Sequence, residues 1–183
     1  LDPDFRTIFT SGTVETGPQR NGTAKVVARG LEAGTTYFYR FWWREHVSPI
    51  GQTKTAPLPN ALAPVKMAVV SCAHYEAGYF YGYGEIAQRP DVDVVVHLGD
   101  YIYEYGPWKA QWKVPGRVHQ PDYEIVSLSD YRTRYAQYRR DPNLQAMHAA
   151  HPMIAIWDDH EIANNSYATG ADNHQENEGD YHA

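Results

Sequence analysis

The 183-residue sequence predicts two units: a short β-sandwich module truncated at its N-terminus, and after it an α/β unit built on parallel strands. Three observations carry that expectation. Up to residue 57, short alternating segments are broken by turn residues; residues 56–64 (APLPNALAP) then hold three prolines; beyond them come continuous apolar runs of strand length separated by helical spacing. The expected boundaries are 1–57 for the first module, 58–64 for a linker and 65–183 for the α/β part.

In the first module, Asn21-Gly22 is a two-residue turn signal, and Thr23–Arg29 alternates with Val26 and Ala28 on one face. Leu31-Glu32-Ala33-Gly34-Thr35-Thr36-Tyr37 then leads into Tyr39, Phe41 and Trp43 at period two, which reads as a half-buried strand entered through a Gly turn. The spacing of Leu31, Gly34, Thr35 and Tyr37 resembles the tyrosine corner of fibronectin type III sandwiches, in which a tyrosine near a strand start ties back to the preceding turn. Only three or four strands fit before residue 57, whereas a full sandwich needs about seven.

In the second unit, Val65–Ser71 and Val92–Leu98 suit strands covered on both faces, and Tyr79, Tyr83, Ile86 and Ala87 between them follow helical spacing, giving β-α-β. Ser129 offers an N-cap for a helix over about 130–140, with Tyr131, Tyr135 and Tyr138 as its apolar stripe. Leu144, Met147, His148 and His151 continue that spacing up to Pro152, and Met153–Trp157 is a third strand. Residues 169–183 are almost without apolar side chains and read as a loop or a disordered tail.

Composition sets limits. Hydrophobic residues make up 43% and mean hydropathy is -0.60, enough for a core, while no apolar run approaches the roughly 20 residues that cross a bilayer. No transmembrane span and no signal peptide are visible. The lone Cys72 has no intrachain partner. Residues 1–140 hold all 16 basic side chains against 14 acidic ones, and residues 141–183 hold 8 acidic and none basic. With a net charge of -6, no nucleic-acid surface is expected, and the acidic end favours cations.

Each apolar strand ends in residues able to bind metal: the first at Cys72, the second at Gly99-Asp100, the third at Asp158-Asp159-His160. Ligands of open α/β sheets bind beyond the carboxyl ends of strands, so these residues converge. Thiolate, carboxylate, phenolate and imidazole together suit a mixed site, carboxylates for hard cations and the others for a transition metal. Two cations about 3.5–4 Å apart can clamp a phosphoryl group and generate a hydroxide nucleophile.

Ser71-Cys72, the run Gly99-Asp100-Tyr101-Ile102-Tyr103-Glu104-Tyr105-Gly106 and Trp157-Asp158-Asp159-His160-Glu161 together resemble the PhoD-like alkaline phosphatase family of the metallophosphoesterase superfamily. That family also carries an N-terminal sandwich ending in a segment similar to residues 48–57, so the resemblance covers most of the chain, as an N-terminal fragment. It implies Cys72 and Tyr103 as ligands of an Fe(III), Asp100 as the carboxylate bridging to a second cation (Ca²⁺, with other divalent cations as alternatives), and Asp159 as a ligand of that cation. Asp158 competes with Asp159 for this role. His160 would contact the phosphate, and a metal-held hydroxide would attack it.

The implied activity is hydrolysis of phosphate mono- or diesters by a secreted, periplasmic or wall-associated enzyme, whose distal histidine ligands lie in a C-terminal half with which this chain would associate. Two other readings stay open: a purple-acid-phosphatase-like enzyme, disfavoured by Ser71-Cys72 and WDDHE, and a wall- or carbohydrate-binding module presenting Trp42 and Trp43 on an inactive fragment. Residue by residue, His97 reads as a core histidine, His74 as a neighbour of the site, and Arg132, Arg134, Arg139 and Arg140 as a solvated helix face from which one arginine could steer phosphate.

Overall fold

The structure, a computed structural model, describes residues 2–181. Leu1, His182 and Ala183, the outermost residues of the two expected units, lie outside the described residues.

The three apolar runs form one parallel sheet in the order β5 (Met67–Val70), β6 (Val94–His97), β7 (Met153–Ala155). Its register sets Ala68 beside Val95 and Val95 beside Met153, so all three strands end level. Between β5 and β6 runs α1 (Tyr81–Ala87); between β6 and β7 come α2 (Leu128–Tyr138) and α3 (Pro142–Ala150). Helix α2 starts at Ser127, two residues before the expected cap, because Ser127 and Asp130 form a reciprocal capping box. Pro142 breaks the expected continuous spacing, and the Asp141 carboxylate starts α3 by accepting from Asn143 N and Leu144 N.

The helices cover one face of the sheet. Phe80, Tyr83, Val95, Ile102, Ile125, Tyr138, Leu144 and Met147 form the core there, each large apolar side chain contributing about 1.5–3 kcal/mol by leaving water. His97 also points into it, fully buried, accepting from Gly99 N at Nδ1 and sharing a bond with Tyr83 Oη at Nε2, which makes it a satisfied core histidine. On the opposite face Met67, Val69 and Ile154 are exposed, so the expectation of strands covered on both faces holds for one face only.

In the first unit, β1 (Thr36–Tyr39) pairs antiparallel with β4 (Gly51–Lys54), and β2 (Trp42–Trp43) forms a tight hairpin with β3 (His46–Val47). The corner geometry is present: buried Tyr37 accepts the Glu32 amide at its hydroxyl, at 2.9 Å. Of the period-two aromatics only Tyr37 is buried; Tyr39, Phe41 and Trp43 are exposed, so the half-buried strand expected there is corrected to two short pieces. Asn21 and Gly22 both take positive φ, as their turn signal requires, but Thr23–Arg29 is not a strand: alternation alone does not hold an extended segment that has no neighbour to pair with. The first unit meets the second where Lys54 Nζ pairs with Asp93 at 2.5 Å. Among the described residues no helix is long and apolar enough to cross a membrane.

Candidate metal centre

The level strand ends bring the expected residues together. Cys72 follows β5 and Asp100 follows β6, and both take left-handed backbone, φ 59° and 54°, a conformation that costs a non-glycine residue about 1–2 kcal/mol. The loops are tied crosswise, Cys72 N to Gly99 O at 3.2 Å and Ala73 N to Asp100 O at 2.9 Å. Gly99 is required: a Cβ there would meet Asp158 N at 2.4 Å, so the ends of β6 and β7 approach each other without a side chain between them. Strained backbone held by a rigid sheet is characteristic of functional sites.

Oxygen and nitrogen atoms of Asp100, Asp159 and His160 lie within 4.8 Å of one another. Tyr103 donates its hydroxyl to Asp100 Oδ2 at 2.9 Å, and its ring lies 4.2 Å from that of His160. Of the five residues singled out from the sequence, Asp100, Tyr103, Asp159 and His160 lie together, while Cys72 is exposed at the adjoining strand end. Asp158 is exposed and outside the cluster, contributing only its backbone amide to Glu161. Cys72 borders an open groove of about 300 Å³ with Val70, Phe80 and Tyr83.

Burial pushes the Asp100 carboxyl up, against the Tyr103 hydrogen bond that favours its ionised form. Burial and then the Asp100 hydrogen bond push the Tyr103 phenol up. At Asp159 burial is outweighed by the Asn165 amide, which donates at 2.5 Å, and by the nearby His160, so its carboxyl stays low. At His160 burial is likewise outweighed by the Glu104 carboxylate, and the imidazole is held above its ordinary value.

Glu104 is one of the residues that sequence reasoning missed, although it lies inside the Gly99–Gly106 run. Almost fully buried, it accepts from His160 Nδ1 at 2.7 Å, from Asn164 N at 2.8 Å and from Asn173 Nδ2 at 2.6 Å. An acid set between Tyr103 and Tyr105 was the available signal. Asn173 belongs to the stretch expected as a loop or disordered tail; it donates to Glu104 and Glu124, both at 2.6 Å, which docks Asn173 against the site. Arg134 corrects the expected solvated face. It is fully buried and donates to the carbonyls of Tyr103, Tyr105, Gln120, Pro121 and Tyr123, clamping the loop that carries Tyr103. His74 does lie beside the cluster, its ring stacked 3.7 Å from Trp108 and 4.6 Å from Tyr103; burial and then His119 push its imidazolium down to about 3.

Comparison with known proteins places this geometry. Residues 67–183 match the family described as PhoD-like phosphatase, and residues 1–57 match its N-terminal domain. The chain belongs to the PhoD-like phosphatase family. It is 46% identical over 165 residues to alkaline phosphatase D of Bacillus subtilis (strain 168), an alignment covering 90% of this chain and 28% of that protein. A solved structure titled "Structure of PhoD" superposes with a TM-score of 0.84 at 46% identity, over 90% of this chain and 31% of that one. The chain thus spans less than a third of the length of the PhoD-like relatives it matches.

The donor set fits a metal on this structure's own terms. Asp100 Oδ1 is buried without a hydrogen-bond partner while its other oxygen is bonded to Tyr103, an arrangement that a cation between Asp100, Asp159 and His160 would satisfy.

Proposed function

We propose that this chain is the N-terminal part of a secreted or wall-associated phosphoesterase acting on phosphate mono- or diesters, with residues 1–57 a truncated fibronectin-like module and 65–183 the first part of a metallophosphoesterase sandwich. The observation that carries the reading is the clustering of Asp100, Tyr103, Asp159 and His160 at level strand ends, with Cys72 at the neighbouring end, in a PhoD-like chain. In this reading Cys72 and Tyr103 hold an iron(III), Asp100 bridges and Asp159 holds a calcium or other divalent cation. Bound there, the cations supply a water of lowered pKa as nucleophile and neutralise phosphoryl charge.

The chain's own residues do the rest. Cys72 and Tyr103 offer a thiolate and a phenolate, and ligation reverses the upward push on Tyr103 because a coordinating group gives up its proton. Glu104 takes the Nδ1 proton of His160 into a hydrogen bond, which fixes the ring and leaves Nε2 to meet a phosphoryl oxygen. Held above its ordinary pKa, His160 can donate to the developing charge or to the leaving oxygen. The exposed apolar face of Met67, Val69 and Ile154 supports association with the C-terminal half of a PhoD-like protein, since parallel sheets bury both faces.

The test is hydrolysis of a chromogenic phosphate ester by the full-length polypeptide. Asp100→Ala is expected to remove turnover, and wild-type turnover in that variant would end the assignment of the bridge.

A further inference from the structure

The Trp157–Glu161 run contributes Asp159 and His160 to the site, yet its last member has no role there. Glu161 is buried, and its partners are three backbone amides from two different strand ends. Its Oε2 accepts from Asp100 N at 3.0 Å and from Asp158 N at 2.8 Å, and its Oε1 accepts from Tyr101 N at 2.5 Å.

These contacts have two consequences. The bond to Asp158 closes the turn 158–161 on itself, so that Asp159 and His160 are presented from a fixed loop. Those to Asp100 and Tyr101 hold the left-handed backbone at Asp100, whose φ of 54° is otherwise disfavoured. Gly99 lets the two loops come close enough for one carboxylate to reach both. Charge-assisted bonds of this kind are about twice as strong as neutral ones, and the side chain spans 60 and 61 residues of sequence to make them.

We propose that Glu161 is a positioning residue, a brace that sets the distance between the Asp100 carboxylate and the Asp159–His160 pair. It touches neither cation nor substrate; it acts through the backbone that carries their ligands. The inference rests on reading the cluster as a cation site, and its test separates the two. Glu161→Gln keeps the side chain's shape but turns one acceptor into a donor facing an amide that also donates.

Backbone amide exchange and terbium(III) affinity are measured on the wild-type chain and on Glu161→Gln, terbium serving as a hard, oxygen-seeking probe read by luminescence. In the folded variant the amides of Asp100, Tyr101 and Asp158 are expected to lose protection together, at least about 10-fold, while those of Val95 and Val96 keep theirs. Terbium affinity is expected to fall about 10-fold or more, the usual consequence of losing a group that orients ligands; Glu161→Asp, which keeps the carboxylate, recovers part of it. Retained protection, or terbium affinity within twofold of wild type, overturns the brace. Loss of protection in a protein whose wild type binds no terbium leaves the brace standing and overturns the cation reading. If Glu161→Gln does not fold, the wild-type exchange decides: the three amides exchange as one unit as slowly as β6, and unequal, fast exchange refutes the proposal.

Discussion

Replacing Arg134 by methionine is the most informative perturbation of the scaffold. The guanidinium is fully buried and donates to five carbonyls, those of Tyr103, Tyr105, Gln120, Pro121 and Tyr123, which belong to the loop between β6 and α2. Methionine fills much of the same volume and supplies no donor. A buried acceptor left without a partner costs about 1–3 kcal/mol; Gln120 and Tyr123 are exposed and the Tyr105 carbonyl keeps His119 Nδ1, so a net loss of about 3 kcal/mol is expected. For a chain of this size that lowers the melting temperature by about 10 °C. Lysine keeps the charge but has three donors on one nitrogen, so Arg134→Lys is expected to lose roughly half as much. Urea denaturation of the three proteins measures this directly. A loss below about 1 kcal/mol for Arg134→Met would refute the view that this side chain holds the Tyr103 loop.

Three further outcomes are expected. Asp100→Asn suits the left-handed backbone and still accepts from Tyr103, so its stability stays within about 1 kcal/mol of wild type while terbium binding is lost; calorimetry reads both. Glu104→Gln removes the charge that holds the His160 imidazole up, so its pKa falls in an NMR titration, and an unchanged value contradicts the dyad. His119, through burial and then Arg134, and His148, through burial and then Arg139, are both pushed from 6.5 down to about 4. Between those values the unfolded chain binds more protons, so stability is complete above pH 6.5 and drops on acidification toward 4, by about 1.4 kcal/mol per pH unit for each histidine; denaturation at pH 7, 6 and 5 measures the slope, and a flat profile contradicts it.

The parallel sheet and the polar residues at its ends were legible because a buried strand is a continuous apolar run, and a polar residue at its end stands out. Val94–His97 with Gly99-Asp100 just beyond it needs no partner to be recognised. Glu104, Arg134 and Glu161 were not legible in role, because their partners lie far along the chain: His160 is 56 residues from Glu104, and Tyr103 is 31 from Arg134. Nothing local separates an arginine that clamps five carbonyls from one that points to solvent. The strand expected at 23–29 failed for the opposite reason, since its alternation was real but strand formation depends on a neighbour that alternation does not reveal. Ser127 outcompeted Ser129 as a cap because Asp130 sits three residues after the former.

A cation site formed by Cys72, Asp100 and Tyr103 is tested most directly by adding iron(III) to the full-length polypeptide while recording metal content and the visible spectrum. The expected result is about one iron per chain, with a tyrosinate-to-iron band that disappears in Tyr103→Phe. Absence of the band, or an unchanged band in Tyr103→Phe, would contradict the site.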